Sequence, residues 1–307
     1  MKISVIVNTY NSETALKRCL NSVVIQSYSD FECLVVDDCS SDQSCKTIQE
    51  YQKIDGRISF YRNKTNLGCS LSRKVGLEKS SGEYVVFIDG DDWLESDFLD
   101  KMLRKATTEN ADLVICDYYE ENGLTSKYMP QHIDKVTKNQ LIAAMASYNP
   151  LLVSSLWNKL IKRDLIDKVV IPEERYGEDM YISLQLVYYS TKTAYQPYPL
   201  YHYWVNNNVS ICNNPEWEAK RRLAMYDICK KILTFLAQHF PSNDPFEPYL
   251  SIRMNKTALR IFEDSSLRKK RDAFALYPLA IRYLFRKEIP YSISKKARFF
   301  VRYYFKH

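Results

Sequence analysis

Short apolar runs alternate with helix-type patterns along the first 117 residues, and this alternation most constrains the fold. Between the runs, apolar residues recur every three or four positions, as they do on one face of a helix. Such alternation predicts right-handed βαβ crossovers, and therefore an α/β protein with a mostly parallel sheet flanked by helices. The strand candidates are residues 3–7, 31–36, 58–62, 84–88 and 112–117.

Polar residues follow three of these runs at the point where each strand would end. Residues 8–11 read Asn-Thr-Tyr-Asn, the second run leads into Asp37 and Asp38, and residues 89–92 read Asp-Gly-Asp-Asp. The carboxyl ends of parallel strands line one edge of a sheet, and ligands bind there. We therefore expect the three polar groups to converge on one rim.

The carboxylates of residues 89–92 repel one another unless a cation or water lies among them. A polar turn with helix-capping aspartates is one interpretation. A calcium loop of the EF-hand type is excluded, because its fifth position needs an oxygen ligand and here holds Trp93. Mg²⁺ or Mn²⁺ bridging a diphosphate fits better, since these ions take one or two carboxylates together with phosphate oxygens.

Several other classes of site lack their motifs. The chain has four His and eight Cys with no CxxC pair, and neither a P-loop nor a dinucleotide-binding glycine turn. The cysteine pattern gives no reason to expect a disulfide framework, and we find neither a signal-peptide core nor a membrane-spanning apolar run. These features predict a reducing, cytoplasmic location.

The C-terminal part of the chain has a different composition. Residues 253–307 contain 15 Lys and Arg against 4 Asp and Glu, with aromatic residues interleaved. We expect a helical, basic and aromatic region over residues 216–307. It would dock on an anionic membrane surface, or instead present a solvated face or pack on protein, including a second protomer. We expect no nucleic-acid partner, because no nucleic-acid-binding motif accompanies the charge.

Five motifs occur in order along the chain, namely SVIVNTYN (4–11), FECLVVDDCSSD (31–42), NLGCSLSRKVGL (66–77), GEYVVFIDGDDWL (82–94) and the adjacent Glu178 and Asp179. Together they resemble the motifs of family 2 glycosyltransferases of the bacterial polysaccharide type, which have the GT-A fold. The resemblance implies a Rossmann-like catalytic domain over residues 1–215, with a donor part to about residue 116 and an acceptor part beyond it. It also implies inverting sugar transfer from a nucleotide sugar, most simply a UDP-sugar, to a saccharide or lipid-linked saccharide, with Mn²⁺ or Mg²⁺.

The resemblance implies roles for individual residues. Asp38 would face the uracil ring and Arg73 the diphosphate, while Asp91 would bind the metal together with Asp89. Asp179 would be the base that takes the acceptor proton, and Glu178 would orient the acceptor or the donor sugar. The full donor-binding set is Thr9, Tyr10, Asp38, Asn66, Arg73 and Asp89.

Three further residues have weaker assignments. Trp157 and Lys159 resemble a segment of bacterial members and could contact the acceptor, the alternative being a core Trp beside a surface Lys. His202 could be a third metal ligand, although a lone His among aromatic residues is more often packed. Asn8 and Cys39 depart from the Pro and Gly of many members, and Cys39 puts in doubt a conformation that needs positive φ.

Two alternatives to a transferase stay open at this point. A sugar nucleotidyltransferase should carry a glycine-rich phosphate loop early in the chain, but the first 20 residues contain no Gly. A catalytically silent nucleotide-sugar-binding scaffold would not need Asp91 and Asp179, both of which are present. A turnover assay separates these classes.

Overall fold

The computed structural model describes residues 1–146, 154–205 and 218–240. The chain divides into two compact units, one formed by Met1–Met145 with Asn149–Asn213 and the other by Ala146–Tyr148 with Asn214–His307. Of the predicted helical, basic and aromatic region over residues 216–307, residues 216–217 and 241–307 lie outside the described residues.

Strands and helices alternate through the first part of the chain as the apolar periodicity predicts. The elements are β1 (Ile3–Thr9), α1 (Leu16–Val24), β2 (Phe31–Asp37), α2 (Ser44–Ile54), β3 (Ile58–Arg62), α3 (Cys69–Lys79) and β4 (Tyr84–Asp89). They form a parallel half-sheet in the order β3-β2-β1-β4. Because β1, β2 and β4 are buried almost throughout, their sequences are continuous apolar runs and do not alternate.

The second half of the sheet is mixed. The elements are β5 (Trp93–Leu94), α4 (Phe98–Glu109), β6 (Leu113–Glu121), β7 (Ser126–Met129), α5 (Lys138–Ala146), β8 (Lys159–Lys162), α6 (Arg163–Ile166), α7 (Glu178–Tyr189) and β9 (Thr193–Trp204). The order continues β4-β8-β6-β9-β5, with β7 on β6. The β4–β8, β6–β8, β6–β7 and β5–β9 pairs are antiparallel, whereas β6 and β9 are parallel.

Strand β9 is absent from the sequence-based expectation, and its two prolines explain the omission. Proline cannot donate to a strand ladder, so Pro197 and Pro199 argue against a strand. The ladder accommodates them by a register shift: Cys116 pairs with Gln196 and the next residue, Asp117, pairs with Pro199. This irregular strand supplies several side chains to the site described below.

In the second unit, the described residues form one helix, α8 (Glu218–His239), with Ile228, Ile232 and Leu236 buried at helical spacing. Helices long and apolar enough to cross a membrane are absent from the described part of the chain.

Candidate active site

The three predicted polar groups meet at the carboxyl edge of the parallel half-sheet. Asn8 of β1 stands opposite Asp89 of β4 in the strand register, and Thr9 stands opposite Asp37 of β2. The Asn8 side-chain amide donates to Asp89 Oδ1 at 3.0 Å, and the Asp38 N–H donates to the Thr9 carbonyl at 2.8 Å. The expected convergence on one rim is therefore confirmed.

Asp38 is buried and holds the loop that leads into α3. Its Oδ1 accepts from the Asn63 side chain at 2.9 Å and the Leu67 N–H at 2.7 Å, and its Oδ2 accepts from the Gly68 N–H at 2.8 Å. A carboxylate has about four lone-pair positions, so three protein donors leave room for one more. The role of Asp38 towards a uracil ring stays a prediction.

The turn at residues 89–92 is held through its backbone. The Asp89 N–H donates to the Tyr201 hydroxyl at 3.3 Å, and the Asp92 N–H donates to the Asp89 carbonyl at 2.9 Å. Arg18 of α1 donates to the Asp91 carbonyl at 2.9 Å while its guanidinium stacks on Trp93, 3.6 Å from the ring centroid. These contacts fix the backbone that carries the Asp89 and Asp91 carboxylates.

Asp92 belongs to the support of this turn. It is fully buried, its Oδ2 accepts from the Tyr201 hydroxyl at 2.6 Å, and its Oδ1 accepts from the Trp204 N–H at 2.7 Å. Burial raises the pKa of Asp92 well above its ordinary value, and the charges of Asp91 and Asp89 raise it further. The carboxylate thus ties β9 to the turn and does not cap α4.

Arg73 of α3 lies at the centre of a buried charge cluster. Its Nη2 lies 3.0 Å from Asp89 Oδ1, and its Nη1 lies 2.5 Å from Asp179 Oδ1 and 3.3 Å from Glu178 Oε1. Arg73 is only 2% exposed. Three carboxylates pair with the two terminal nitrogens of this guanidinium, while its Nε has no hydrogen-bond partner. The role of Arg73 towards a diphosphate stays a prediction.

The two carboxyl groups at the start of α7 differ in their environment. Burial raises the pKa of Glu178 to about 8, and the charge of Asp179 raises it too. Burial also raises the pKa of Asp179, against the lowering effect of Arg73. With a pKa of about 8, Glu178 keeps a proton near neutral pH, and Asp179 is the carboxylate that lies closest to the Arg73 guanidinium.

The acidic residues of the turn suit a metal that is held partly by substrate. Carboxylate oxygens are the ligands that Mg²⁺ and Mn²⁺ prefer, and Asp89 and Asp91 supply them at one end of β4. The described residues contain no group of three or more His, Cys, Asp or Glu side chains arranged as a cage. Mg²⁺ usually takes one or two protein carboxylates with phosphate oxygens and waters, so this donor set fits such an ion.

The structure does not support His202 as a third metal ligand. Its Nδ1 lies 2.8 Å from Glu121 Oε1 and its Nε2 lies 2.9 Å from Glu95 Oε1, so both ring nitrogens already have carboxylate partners. The ring also stacks on Trp93, with 4.8 Å between centroids. His202 therefore locks β9 against the strand that follows the turn, which corrects the expected role.

Trp157 and Lys159 are interior residues. Trp157 is stacked on Tyr201, and Lys159 is fully buried with its ammonium bound to the Ser155 carbonyl and to Asn158 Oδ1. Burial lowers the pKa of Lys159 to about 8, while the charge of Asp179 acts in the opposite direction. Neither side chain offers a surface to an acceptor, and the alternative of a surface Lys is also wrong.

The remaining predicted donor residues lie along the rim. Tyr10 is 45% exposed, while Thr9 is buried and its hydroxyl has no hydrogen-bond partner. The Asn66 side chain accepts from Arg175 at 2.9 Å. Cys39 adopts the left-handed conformation, with φ of 66°. Glycine, which many family members have at this position, favours that conformation, and here it forms with a cysteine.

Sequence reasoning missed three residues of the site, namely Arg18, Arg175 and Tyr201. Arg18 looks like a surface residue of an amphipathic helix, and Tyr201 lies in a proline-containing strand. Arg175 stands four positions before Asp179, and this closeness in sequence is the one signal that pointed to Arg175 as a site residue.

Comparison with known proteins gives a consistent family assignment. Residues 4–170 match the family described as Glycosyl transferase family 2. The chain is 31% identical to Glycosyltransferase GlyA of Streptococcus pneumoniae over 82% of its own length, but this match spans only 36% of GlyA. It is 32% identical to the Putative glycosyltransferase EpsH of Bacillus subtilis, over 73% of the chain and 67% of EpsH. A Campylobacter jejuni relative, GalNAc(5)-diNAcBac-PP-undecaprenol beta-1,3-glucosyltransferase, is 29% identical over 68% of the chain and 67% of that protein.

Two solved structures share the fold. S. aureus TarS 1-349 in complex with UDP-GlcNAc superposes with a TM-score of 0.66 at 23% identity, covering 90% of this chain and 78% of TarS 1-349. Mannosyltransferase PcManGT from Pyrobaculum calidifontis, in complex with GDP-Man and Mn2+, superposes with a TM-score of 0.57 at 16% identity, covering 99% of this chain and 88% of PcManGT. At these identities the likeness concerns the GT-A architecture.

Proposed function

The chain belongs to glycosyl transferase family 2, and from this premise we propose that it transfers a sugar from a UDP-sugar to a saccharide or lipid-linked saccharide, with inversion. The observation that carries the proposal is the Arg73 bridge. One buried guanidinium joins Asp89, at the end of β4, to Asp179, at the start of α7. A donor-side carboxylate and a candidate base are thereby held at a defined separation, as direct displacement requires.

The chemistry follows from these positions. The acceptor hydroxyl gives its proton to Asp179 as its oxygen bonds to the anomeric carbon, and the bond from that carbon to the diphosphate oxygen breaks. Arg73 holds Asp179 Oδ1, and we assign the proton to Oδ2. A divalent metal bound by Asp91 and Asp89 would supply charge neutralisation for the departing nucleoside diphosphate. Direct displacement in a single step inverts the anomeric centre and needs no glycosyl-enzyme.

A calorimetric titration tests the donor half of the proposal. UDP is titrated into the full chain with Mn²⁺ and again with EDTA, using wild type, Asp91→Ala and, as a control, Asp100→Ala, at a half-buried position of α4 that pairs with Arg104. We expect binding that needs Mn²⁺, is lost in Asp91→Ala and is kept in Asp100→Ala. Absence of UDP binding to wild type in both conditions would contradict the proposal. A turnover assay with a panel of UDP-sugars then distinguishes a transferase from a scaffold that binds the nucleotide sugar without catalysis.

We also propose that the basic and aromatic residues 268–307 bring the enzyme to an anionic membrane surface, where a lipid-linked acceptor would lie. Support comes from the excess of cations over anions in residues 253–307 and from the undecaprenol-linked substrate in the name of the C. jejuni relative. Co-sedimentation with anionic liposomes, with and without residues 268–307, tests this part. Equal binding by both forms would contradict it.

A further inference from the structure

A diphosphate carries negative charge, and the single positive charge of Arg73 is already shared among three carboxylates. Its guanidinium is buried and paired with three carboxylates. An exposed cation near the rim would add to the charge that a metal ion balances.

Arg175 has the required position and exposure. It is an exposed residue of the segment before α7, and its guanidinium donates to Asn66 Oδ1 at 2.9 Å and to the Asn66 carbonyl at 2.6 Å. Both acceptors are neutral amide oxygens, so these two bonds leave the guanidinium charge uncompensated. A guanidinium has five N–H donors, so others are available to a ligand.

The backbone at Gly68 is shaped to admit this side chain. Gly68 has φ of 90°, and a Cβ added there would lie 2.9 Å from Arg175 Cγ. Any other residue would be strained by its backbone angle and would also push the arginine stem away. The arginine stem thus lies directly on the loop that Asp38 holds through the Leu67 and Gly68 N–H groups.

The same loop connects Arg175 to the carboxylates of the turn. Gly68 is followed by Cys69, whose Sγ lies 3.1 Å from Asn8 Nδ2, and that nitrogen lies 3.0 Å from Asp89 Oδ1. Arg175 is therefore placed a few contacts from the candidate metal residues and four residues before Asp179. These contacts place Arg175 beside the loop that Asp38 holds and in the segment that leads to Asp179.

We infer that Arg175 binds the diphosphate of the nucleotide sugar, replacing or supplementing its two bonds to Asn66. The inference rests on the proposed function. Charge-assisted bonds from a guanidinium to phosphate are stronger than bonds to a neutral amide oxygen, and the planar fork matches two phosphate oxygens. Since Arg175 precedes α7, this contact would also tie the donor to the segment that leads to the base.

The experiment measures affinities for uridine, UMP and UDP by calorimetry with Mn²⁺, on wild type, Arg175→Gln, Arg175→Lys and Asn66→Ala. Arg104→Gln, an exposed arginine of α4, is the charge-matched control. We expect Arg175→Gln to weaken UDP binding about ten- to a hundredfold and to leave uridine binding unchanged, because only UDP carries the diphosphate. Arg175→Lys keeps the charge and the stem over Gly68, so it should retain part of the UDP affinity.

The outcomes separate this inference from the proposed function. An equal loss of uridine and UDP affinity in Arg175→Gln, reproduced by Asn66→Ala, would mean that Arg175 only ties the loop, and would overturn the inference. Unchanged UDP affinity in both Arg175 variants would also overturn it while leaving the proposed function in place. Failure of wild type to bind UDP would overturn both.

Discussion

Arg73 Nη1 lies 2.5 Å from Asp179 Oδ1, which makes a buried guanidinium the closest partner of the candidate base. The same guanidinium reaches Asp89 at 3.0 Å, so the base and the donor-side carboxylate share one cation. This pairing favours an ionised Asp179 and fixes its orientation before any substrate binds. It also accounts for the burial of Arg73, whose charge is paired inside the protein.

Replacing Asp179 by Asn should remove proton acceptance while keeping the shape of the site. We expect turnover to fall by about 10²- to 10⁴-fold, the usual contribution of a general base, with Mn²⁺-dependent UDP affinity changed little. Steady-state kinetics with an active UDP-sugar, together with UDP calorimetry, measure both quantities. The exposed Glu173→Gln serves as the control. If the turnover of Asp179→Asn stays within a few-fold of wild type, Asp179 is not the base.

Glu178 predicts a specific pH dependence of stability. Burial and the charge of Asp179 raise the pKa of Glu178 from 4.5 to about 8, so the folded protein retains a proton that the unfolded chain releases. The free energy of unfolding should therefore fall as pH rises from about 4.5 to 8. Glu178→Gln should remove this part of the decline. At about pH 8, its free energy of unfolding should exceed that of wild type by a few kcal/mol, as an order of magnitude.

Denaturant unfolding of wild type and Glu178→Gln at pH 5 and pH 8 measures this difference. The exposed Glu173→Gln should show the wild-type pH dependence. A stability difference between Glu178→Gln and wild type that stays constant with pH would rule out the raised pKa as its cause.

Tyr201→Phe should loosen the turn that carries Asp89 and Asp91. The Tyr201 hydroxyl donates to the buried Asp92 and accepts from the Asp89 N–H, so its loss leaves buried polar groups without partners. We expect a loss of about 1–3 kcal/mol in the free energy of unfolding, with weaker Mn²⁺-dependent UDP binding. Chemical denaturation and calorimetry measure the two effects. Tyr198→Phe, at a half-exposed position of the same strand, should change neither, and a Tyr201→Phe protein as stable as wild type would show that the hydroxyl is dispensable.

Gly76→Ala should be destabilising although Ala is the better helix former. A Cβ at Gly76 of α3 would lie 2.4 Å from Ile6 Cγ2 of β1, and Ile6 is fully buried. We expect a loss of about 1–3 kcal/mol from this overpacking. Gly56→Ala is the matched control, because nothing lies within 4 Å of its added Cβ.

Thermal or denaturant unfolding of the two glycine variants gives the comparison. Adding Ile6→Ala to Gly76→Ala removes the atom that causes the clash, so the two changes together should cost less than the sum of the single changes. If the losses in free energy of unfolding are additive, the added Cβ at Gly76 does not clash with Ile6.

Local periodicity was enough to predict the donor half of the fold. Strands β1, β2 and β4 are short apolar runs buried almost throughout, and helices α1 and α4 each carry an apolar stripe. The parallel crossover rule then brings three strand ends together, so Asn8, Asp38 and Asp89 could be assigned to one rim without coordinates. The mixed half was less accessible, because the prolines of β9 and the two-residue strand β5 obscure the strand pattern.

The sequence by itself therefore determined the fold class, the family and the rim where the chemistry was expected, because these depend on short-range patterns and motifs. Only the tertiary structure decided which charges face a ligand. Arg73 pairs with carboxylates about a hundred residues away, His202 is held by Glu95 and Glu121, and Lys159 is enclosed in the core. A side chain's role depends on burial and on its charged partners, and segments distant in sequence supply both. For this reason the exposed cation at the rim, Arg175, could be identified only in the folded protein.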